Sequence, residues 1–208
     1  APAYRATGLG TSFAHRMPLR RPHSPLVAAL SLLVAGLACS KAPQNVDWPV
    51  YQGSDAKTHY TTLSQISPTN VSQLKVAWTY DTKDAFEGSE MQSNAVVIDG
   101  VLYAMSPKQR AFALDAATGK ELWSFDPTNG KFTGPRIRYR GVVVHDGRVY
   151  FNYRYRLFSL DAKTGQKAAG WGNDSGWVDL REGLGRPVEG LSVSASTPGA
   201  VYKDMLIV

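Results

Sequence analysis

Cysteine is nearly absent from this sequence: Cys39 is the single example in 208 residues. A lone cysteine closes no internal disulfide, so a small disulfide-stapled scaffold is excluded. Histidine is scarce as well, and His15, His23, His59 and His145 show no metal-ligand spacing. There is no Gly-x-Ser-x-Gly elbow, no phosphate-binding P-loop and no zinc pattern, so three common kinds of catalytic motif have no anchor here. The main apolar run, Leu26 to Leu37, is 12 residues long, well short of the roughly 20 a spanning helix needs. After Cys39 no stretch sustains a 3.6-residue apolar period, which argues against long amphipathic helices. Acid is missing from the start of the chain. Four arginines (Arg5, Arg16, Arg20, Arg21) precede Cys39 with no Asp or Glu, whereas from Cys39 onward 19 basic residues face 17 acidic ones. The net charge of +6 therefore belongs mostly to the first segment. The remainder is near neutral and gives no general signal for nucleic acid.

What is present begins with an address. Met17 is followed by Arg20 and Arg21, the apolar run and small residues before Cys39, the layout of a secretory signal. Residues 1–38 are expected to be upstream residues plus that signal, with translation starting at Met17. "GLAC" resembles a bacterial lipobox, with Gly36 where leucine is usual. It implies lipidation of Cys39, a tether over 39–46, and a periplasmic protein held to the membrane by lipid. The alternative is a plain secreted, soluble periplasmic protein.

The rest of the chain repeats. "VVIDGVLYAMSPKQRAFALDAATGKELWSFD" (96–126) aligns with "VVVHDGRVYFNYRYRLFSLDAKTGQKAAGW" (142–171), and "GAVYKDMLIV" (199–208) starts a third copy. Trp78, Trp123 and Trp171 follow at spacings of 45 and 48. β-branched and aromatic runs flank Asp-Gly pairs, a strong hairpin signal. Each copy reads as four short strands in under 50 residues, the size of a β-propeller blade. "SPTNVSQL" (67–74) is at most one capped helical turn. In "ALDAATGKELW", Gly119 can supply a left-handed turn, Asp115 can accept hydrogen bonds from Thr118, and Trp123 can lie flat between blades. Asp161, Thr164, Gly165 and Trp171 are the corresponding residues of the second copy, although Trp171 falls two positions late.

These residues resemble the tryptophan-docking motif of the quinoprotein dehydrogenases, propellers that bind pyrroloquinoline quinone (PQQ). A more specific resemblance lies in "DWPVYQGSDAKTHYTTLSQISPTNVSQLKVAWTYDT" (47–82), which is similar to the N-terminal signature of that family, particularly its membrane-bound glucose and sugar dehydrogenase branch. Asp47-Trp48-Pro49, Tyr51, Tyr60, Leu63, Ile66, Asn70-Val71, Leu74 and Ala77-Trp78 match; Gln52 stands where glycine is usual and Thr61-Thr62 where Ser-Pro is usual. Tyr60 and Leu63 are expected to pack on the outer side of a sheet. The resemblance implies an all-β fold, an eight-bladed propeller in the full protein, with two to three blades in 47–208; two open blades cannot protect their edges, so the chain is expected to be a fragment.

The resemblance also implies cofactor contacts. Gln92 in "EMQSNAVVIDG" falls on the polar position of an inner-strand motif, with Ala95 replacing proline. Arg140 in "RYRGVVV" falls on an arginine that meets PQQ oxygens. Ser196 and Thr197 in "SASTPGAVYKD" fall on a Thr-Ser-Pro element in swapped order. These side chains suit a flat quinone with three carboxylates. The catalytic aspartate and the Ca2+ ligands are expected after Val208, so no catalytic or metal residue is assigned within the chain. The implied activity is oxidation of a sugar or alcohol CH–OH group, with PQQ and Ca2+ as cofactors and a membrane quinone or cytochrome c as electron acceptor. The absence of an adjacent-cysteine pair suits the sugar branch. The alternatives are a non-catalytic propeller lipoprotein of the outer-membrane assembly type and a degenerate quinoprotein without cofactor. The Arg/Tyr-rich run 136–156 also suits single-stranded nucleic acid, a partner excluded by the export signal and the near-neutral charge.

Overall fold

The computed structural model describes residues 45–133 and 138–208. The signal segment, Met17 and the Cys39 lipobox lie outside the described residues. Two four-stranded antiparallel sheets and a hairpin follow one another in chain order. The first sheet holds β1 (Val96–Ile98), β2 (Val101–Met105), β3 (Ala111–Asp115) and β4 (Glu121–Phe125) in that spatial order. The second repeats it with β5 (Val143–His145), β6 (Arg148–Tyr153), β7 (Arg156–Asp161) and β8 (Trp177–Asp179). The third copy supplies β9 (Ala200–Tyr202) and β10 (Met205–Ile207). The only helical element among the described residues is one 3-10 turn, Val71–Gln73, inside the stretch read as a single capped turn.

Local chemistry accounts for this meander. Asp99-Gly100 joins β1 to β2 with both residues at positive φ (50° and 76°), and Asp146-Gly147 does the same for β5 and β6 (48° and 68°). Such two-residue turns match the twist of the strands they connect. Gln52, the residue that replaces a family glycine, also sits at a φ of 66°. The left-handed requirement therefore persists there without the residue that meets it most cheaply.

The strands alternate, and the alternation stacks the sheets. On β3, the small Ala111 and Ala113 face the second sheet while Phe112 and Leu114 face the other way. Val96, Tyr103, Met105 and Trp123 of the first sheet share one core with Val149, Phe151, Phe158 and Leu160 of the second. Phe151 stacks on Phe158 at 5.2 Å and Phe125 closes the group at 5.7 Å from Phe158. Across the opposite face, Phe112 and Leu114 are covered by Trp78 and Tyr80, with Tyr80 5.0 Å from Phe112. Burial, followed by a hydrogen bond to Glu121, pushes the Tyr80 hydroxyl up to about 12.

One expectation fails here. Tyr60 and Leu63 pack on neither sheet: they are 72% and 40% exposed, and Ile66 and Leu74 beside them are exposed too. The segment that carries them runs outside the ladders, with the single 3-10 turn as its regular structure. No described strand therefore offers these side chains a face.

Candidate functional site

The sheets are held face to face by a repeated device. In the first copy, the Asp115 carboxylate accepts the Thr118 N–H (2.8 Å) and hydroxyl (2.7 Å), and the Gly119 N–H closes the turn on the Asp115 carbonyl. These bonds, those from the Thr118 hydroxyl foremost, hold the Asp115 carboxyl below its ordinary value. Asp161, Thr164 and Gly165 reproduce the arrangement, with Asp161 lowered for the same reason. Each turn receives a tryptophan from the preceding unit. Trp123 lies on Gly165, so close that a Cβ there would stand 2.5 Å from the ring, and its indole N–H reaches the Ala162 carbonyl at 2.9 Å. Trp78 lies on Gly119 in the same way and bonds the Ala116 carbonyl at 3.1 Å. The motif assignment from sequence leaves Trp78 out of the docking residues, although its spacing of 45 to Trp123 carries the signal.

Trp171 bonds within its own sheet and borders the third hairpin at Val201, Met205 and Leu206. Its N–H turns back to the Leu157 carbonyl of its own sheet (3.1 Å) and its ring packs edge-on against Tyr150 at 5.4 Å. The cause is a loop after the second turn. The Gly170 N–H bonds Asp174, Gly172 takes a φ of 60° against the Trp177 carbonyl, and the outer strand starts only at Trp177. Trp177 then sits opposite Phe158, with the Arg156 guanidinium 4.4 Å above its ring.

Stacking the sheets brings their first strands together. Gln92, Arg140, Ser196 and Thr197 all sit in the lead-ins to β1, β5 and β9, at the end opposite the Asp-Gly hairpins. Those lead-ins are stitched in sequence: the Asn94 N–H donates to the Arg140 carbonyl (2.8 Å), and the Arg140 N–H donates to the Ser196 carbonyl (2.9 Å). Gly141 explains the Arg-Gly pair. At a φ of 146°, a Cβ there would lie 2.7 Å from the Asn94 carbonyl oxygen and 3.3 Å from Pro198. Only glycine lets three lead-ins converge this tightly.

Around this junction the side chains are polar. Tyr139 is buried and its hydroxyl accepts the Arg154 N–H at 2.9 Å, which leaves Arg140 on the opposite, exposed side. The Arg140 guanidinium has no ion pair among the described residues. Ser196 is exposed, while Thr197 lines a narrow crevice with Tyr139, Gly141 and Leu206, between the second sheet and the third hairpin. Gln92 donates its amide N–H to Glu90 at 2.7 Å, and Glu90 also pairs with Arg138. The lead-in that carries Gln92 is anchored upstream by Asp84, which is buried, accepts the Thr82 hydroxyl at 2.6 Å and the Ser106 hydroxyl, and lies 3.8 Å from Arg110. Sequence reasoning does not single out Glu90, Arg138 or Asp84. Apart from Thr82, the partners of Asp84 lie on a turn more than twenty residues away, so the local sequence does not single it out.

The neighbouring lead-ins carry a cation (Arg140), two hydroxyls (Ser196, Thr197) and an amide (Gln92), side-chain types suited to carboxylates and quinone oxygens. PQQ is therefore compatible with these residues. Among the described residues no group of three His, Cys, Asp or Glu is placed to hold a metal. Arg148 and Arg154 of the 136–156 run serve as staples: Arg148 reaches the Ala169 carbonyl, and Arg154 reaches the Thr133 carbonyl and lies over Tyr153.

The family model for the PQQ-dependent glucose/ethanol/alcohol dehydrogenase β-propeller domain matches residues 48–208. The chain belongs to this family. Among curated relatives it is 33% identical over 168 residues to a 1-butanol dehydrogenase (cytochrome c) of Thauera butanivorans, covering 76% of this chain and 24% of that protein. It is 31% identical over 189 residues to a glycerol dehydrogenase large subunit of Gluconobacter oxydans, covering 81% and 25% respectively. Among solved structures, the quinohemoprotein alcohol dehydrogenase of Comamonas testosteroni superposes with a TM-score of 0.63 at 28% identity, over 77% of this chain and 22% of that one. The Pseudomonas putida quinohemoprotein alcohol dehydrogenase gives 0.62 at 31% identity, covering 77% and 22%. This quinoprotein chain thus spans about a quarter of the length of these relatives. Its two four-stranded sheets are antiparallel sheets of a β-propeller domain, and the hairpin follows them as the start of a third copy.

Proposed function

We propose that this chain is part of a PQQ-dependent oxidoreductase that oxidises an alcohol or sugar CH–OH group. The observation that carries the reading is the stitched junction Asn94–Arg140–Ser196, which gathers Gln92, Arg140, Ser196 and Thr197 at one end of the blades. When bound, PQQ supplies an ortho-quinone that takes up the two electrons of the oxidation. The protein's own residues bind and orient. Arg140, exposed and without a competing carboxylate, binds the cofactor's oxyanions. The Ser196 and Thr197 hydroxyls donate to its carboxylates, and Gln92 offers an amide at its edge. Gly141 keeps the three lead-ins that carry these residues close together.

The substrate range follows from the relatives, which act on butanol and glycerol by name. The lack of an adjacent-cysteine pair extends the proposal to sugars. Ca2+ is proposed as the second cofactor, held outside this stretch of chain, as is the aspartate that takes the substrate proton. A membrane quinone or a cytochrome c is proposed as electron acceptor, in keeping with the names of the relatives. The signal-like segment and Cys39 support a periplasmic protein tethered by lipid. Dye reduction by the full-length protein with PQQ, Ca2+ and a panel of alcohols and sugars tests the reading. PQQ-dependent turnover is expected; no turnover together with no PQQ-dependent spectral change would leave a cofactor-free propeller instead.

A further inference from the structure

Glu90 lies in the lead-in that carries Gln92, one of the three that form the proposed hub, yet the cofactor contacts assigned above make no use of it. It lies two residues before Gln92, and Arg138 lies two residues before Arg140, so the period of two places all four on matching sides of paired lead-ins. Tyr139 between the arginines is buried the other way. The Glu90 carboxylate accepts the Gln92 amide N–H at 2.7 Å and the Arg138 guanidinium N–H. It thereby bridges the lead-ins of two blades beside a site that needs net positive charge.

We propose that Glu90 is a positioning residue that sets the charge and the hydrogen-bond polarity of the hub. It engages Arg138, so that among the described residues of this lead-in Arg140 is the cation left to meet an anionic ligand. It also fixes the Gln92 amide with Nε2 turned toward Glu90, which presents Oε1 as an acceptor. The proposal rests on the reading of the hub as a PQQ site and adds a sign to it. A carboxylate beside a tricarboxylate ligand opposes binding, and Arg138 offsets that opposition. Removing the Glu90 charge therefore tightens PQQ binding, whereas a merely structural clamp would weaken binding when cut. The side chains of Glu90 and Arg138 are 36% and 55% exposed, so the expected change is modest and salt-dependent.

The test is titration of the full-length apoprotein with PQQ, followed by tryptophan fluorescence and equilibrium dialysis at low and high salt. Glu90→Gln keeps an acceptor in place and lowers the Kd by roughly three- to fivefold at low salt, a gain that shrinks at high salt. Arg138→Gln raises the Kd by a similar factor, and the double variant returns close to wild type. Weaker or unchanged binding in Glu90→Gln overturns the proposal; so does weakening by both single substitutions without compensation in the double variant. Arg140→Gln separates the two levels. If it leaves the Kd unchanged, the hub reading itself fails. If it weakens binding while Glu90→Gln does not tighten it, only the role of Glu90 fails.

Discussion

The two four-stranded blades are built from the same repeat but end differently. In the first, β4 starts close after the Asp115–Gly119 turn, and Trp123 projects onto the next blade. In the second, the Asp161–Gly165 turn is equally well formed, yet Gly170–Gly176 loops out and Trp171 folds back onto Tyr150. The turn and the tryptophan are therefore separable parts. The Asp-Thr-Gly turn is a receptor for the preceding blade, whereas the tryptophan is a donor whose reach depends on where the outer strand begins.

The largest test of this difference is truncation of the two tryptophans in the full-length protein. Trp123→Ala removes an almost fully buried ring from the inter-blade core and is expected to cost about 3–5 kcal/mol. Trp171→Ala, which removes a half-buried ring that packs against Tyr150 of its own sheet and borders the third hairpin, is expected to cost about 1–2 kcal/mol. Equal losses in chemical denaturation would break the distinction between docking and self-packing.

A smaller effect separates the two receptors. Gly165→Ala forces a Cβ against a ring held in the core at a φ of 69°, and about 2 kcal/mol or more of destabilisation is expected. Gly119→Ala meets Trp78 with the same 2.5 Å overlap, but Trp78 is half-buried and its segment can yield. A lower cost is expected there, read as a smaller drop in Tm. A greater cost at Gly119 would mean that the first docking contact is the tighter one.

The smallest effect is acid sensitivity. Asp115 and Asp161 both titrate below their usual value of 3.8 because Thr118 and Thr164 donate to them. A depressed folded-state value means that the carboxylates stabilise the turns above the unfolded value, and that this contribution fades as pH falls through the folded one. Thermal melts between about pH 5 and pH 3 should show a falling Tm, and Asp115→Asn with Asp161→Asn should flatten part of that fall. An unchanged slope in the double variant would show that the turns do not depend on these charges.

Much of this architecture is legible in the amino-acid sequence. Asp-Gly pairs inside β-branched runs fix hairpins locally, and the repeat with tryptophans at blade spacing fixes the stacking. The hub is legible only as positions, because Gln92, Arg140, Ser196 and Thr197 are far apart in sequence and meet through backbone bonds that no side chain encodes. Gly141 is the exception, a glycine whose place beside Arg140 reflects crowding at the junction. Trp171 falls two positions late in the repeat, and the loop Gly170–Gly176 that delays the outer strand accounts for that offset. Tyr60 and Leu63 mislead because an apolar side chain does not guarantee a covering surface within the same stretch of chain. Glu90 and Asp84 are invisible in the sequence because each, besides one neighbour two residues away, takes its meaning from partners across the fold: Arg138 for Glu90, Ser106 and Arg110 for Asp84.

The central claim is that three inner-strand lead-ins present a site for an anionic quinone. The most direct measurement is a structure of the full-length protein with PQQ bound. The cofactor is expected over the Asn94–Arg140–Ser196 junction, with the Arg140 guanidinium on its oxygens and at least one of the Ser196 and Thr197 hydroxyls on a carboxylate. Cofactor density elsewhere, or Arg140 turned away from it, would contradict the claim.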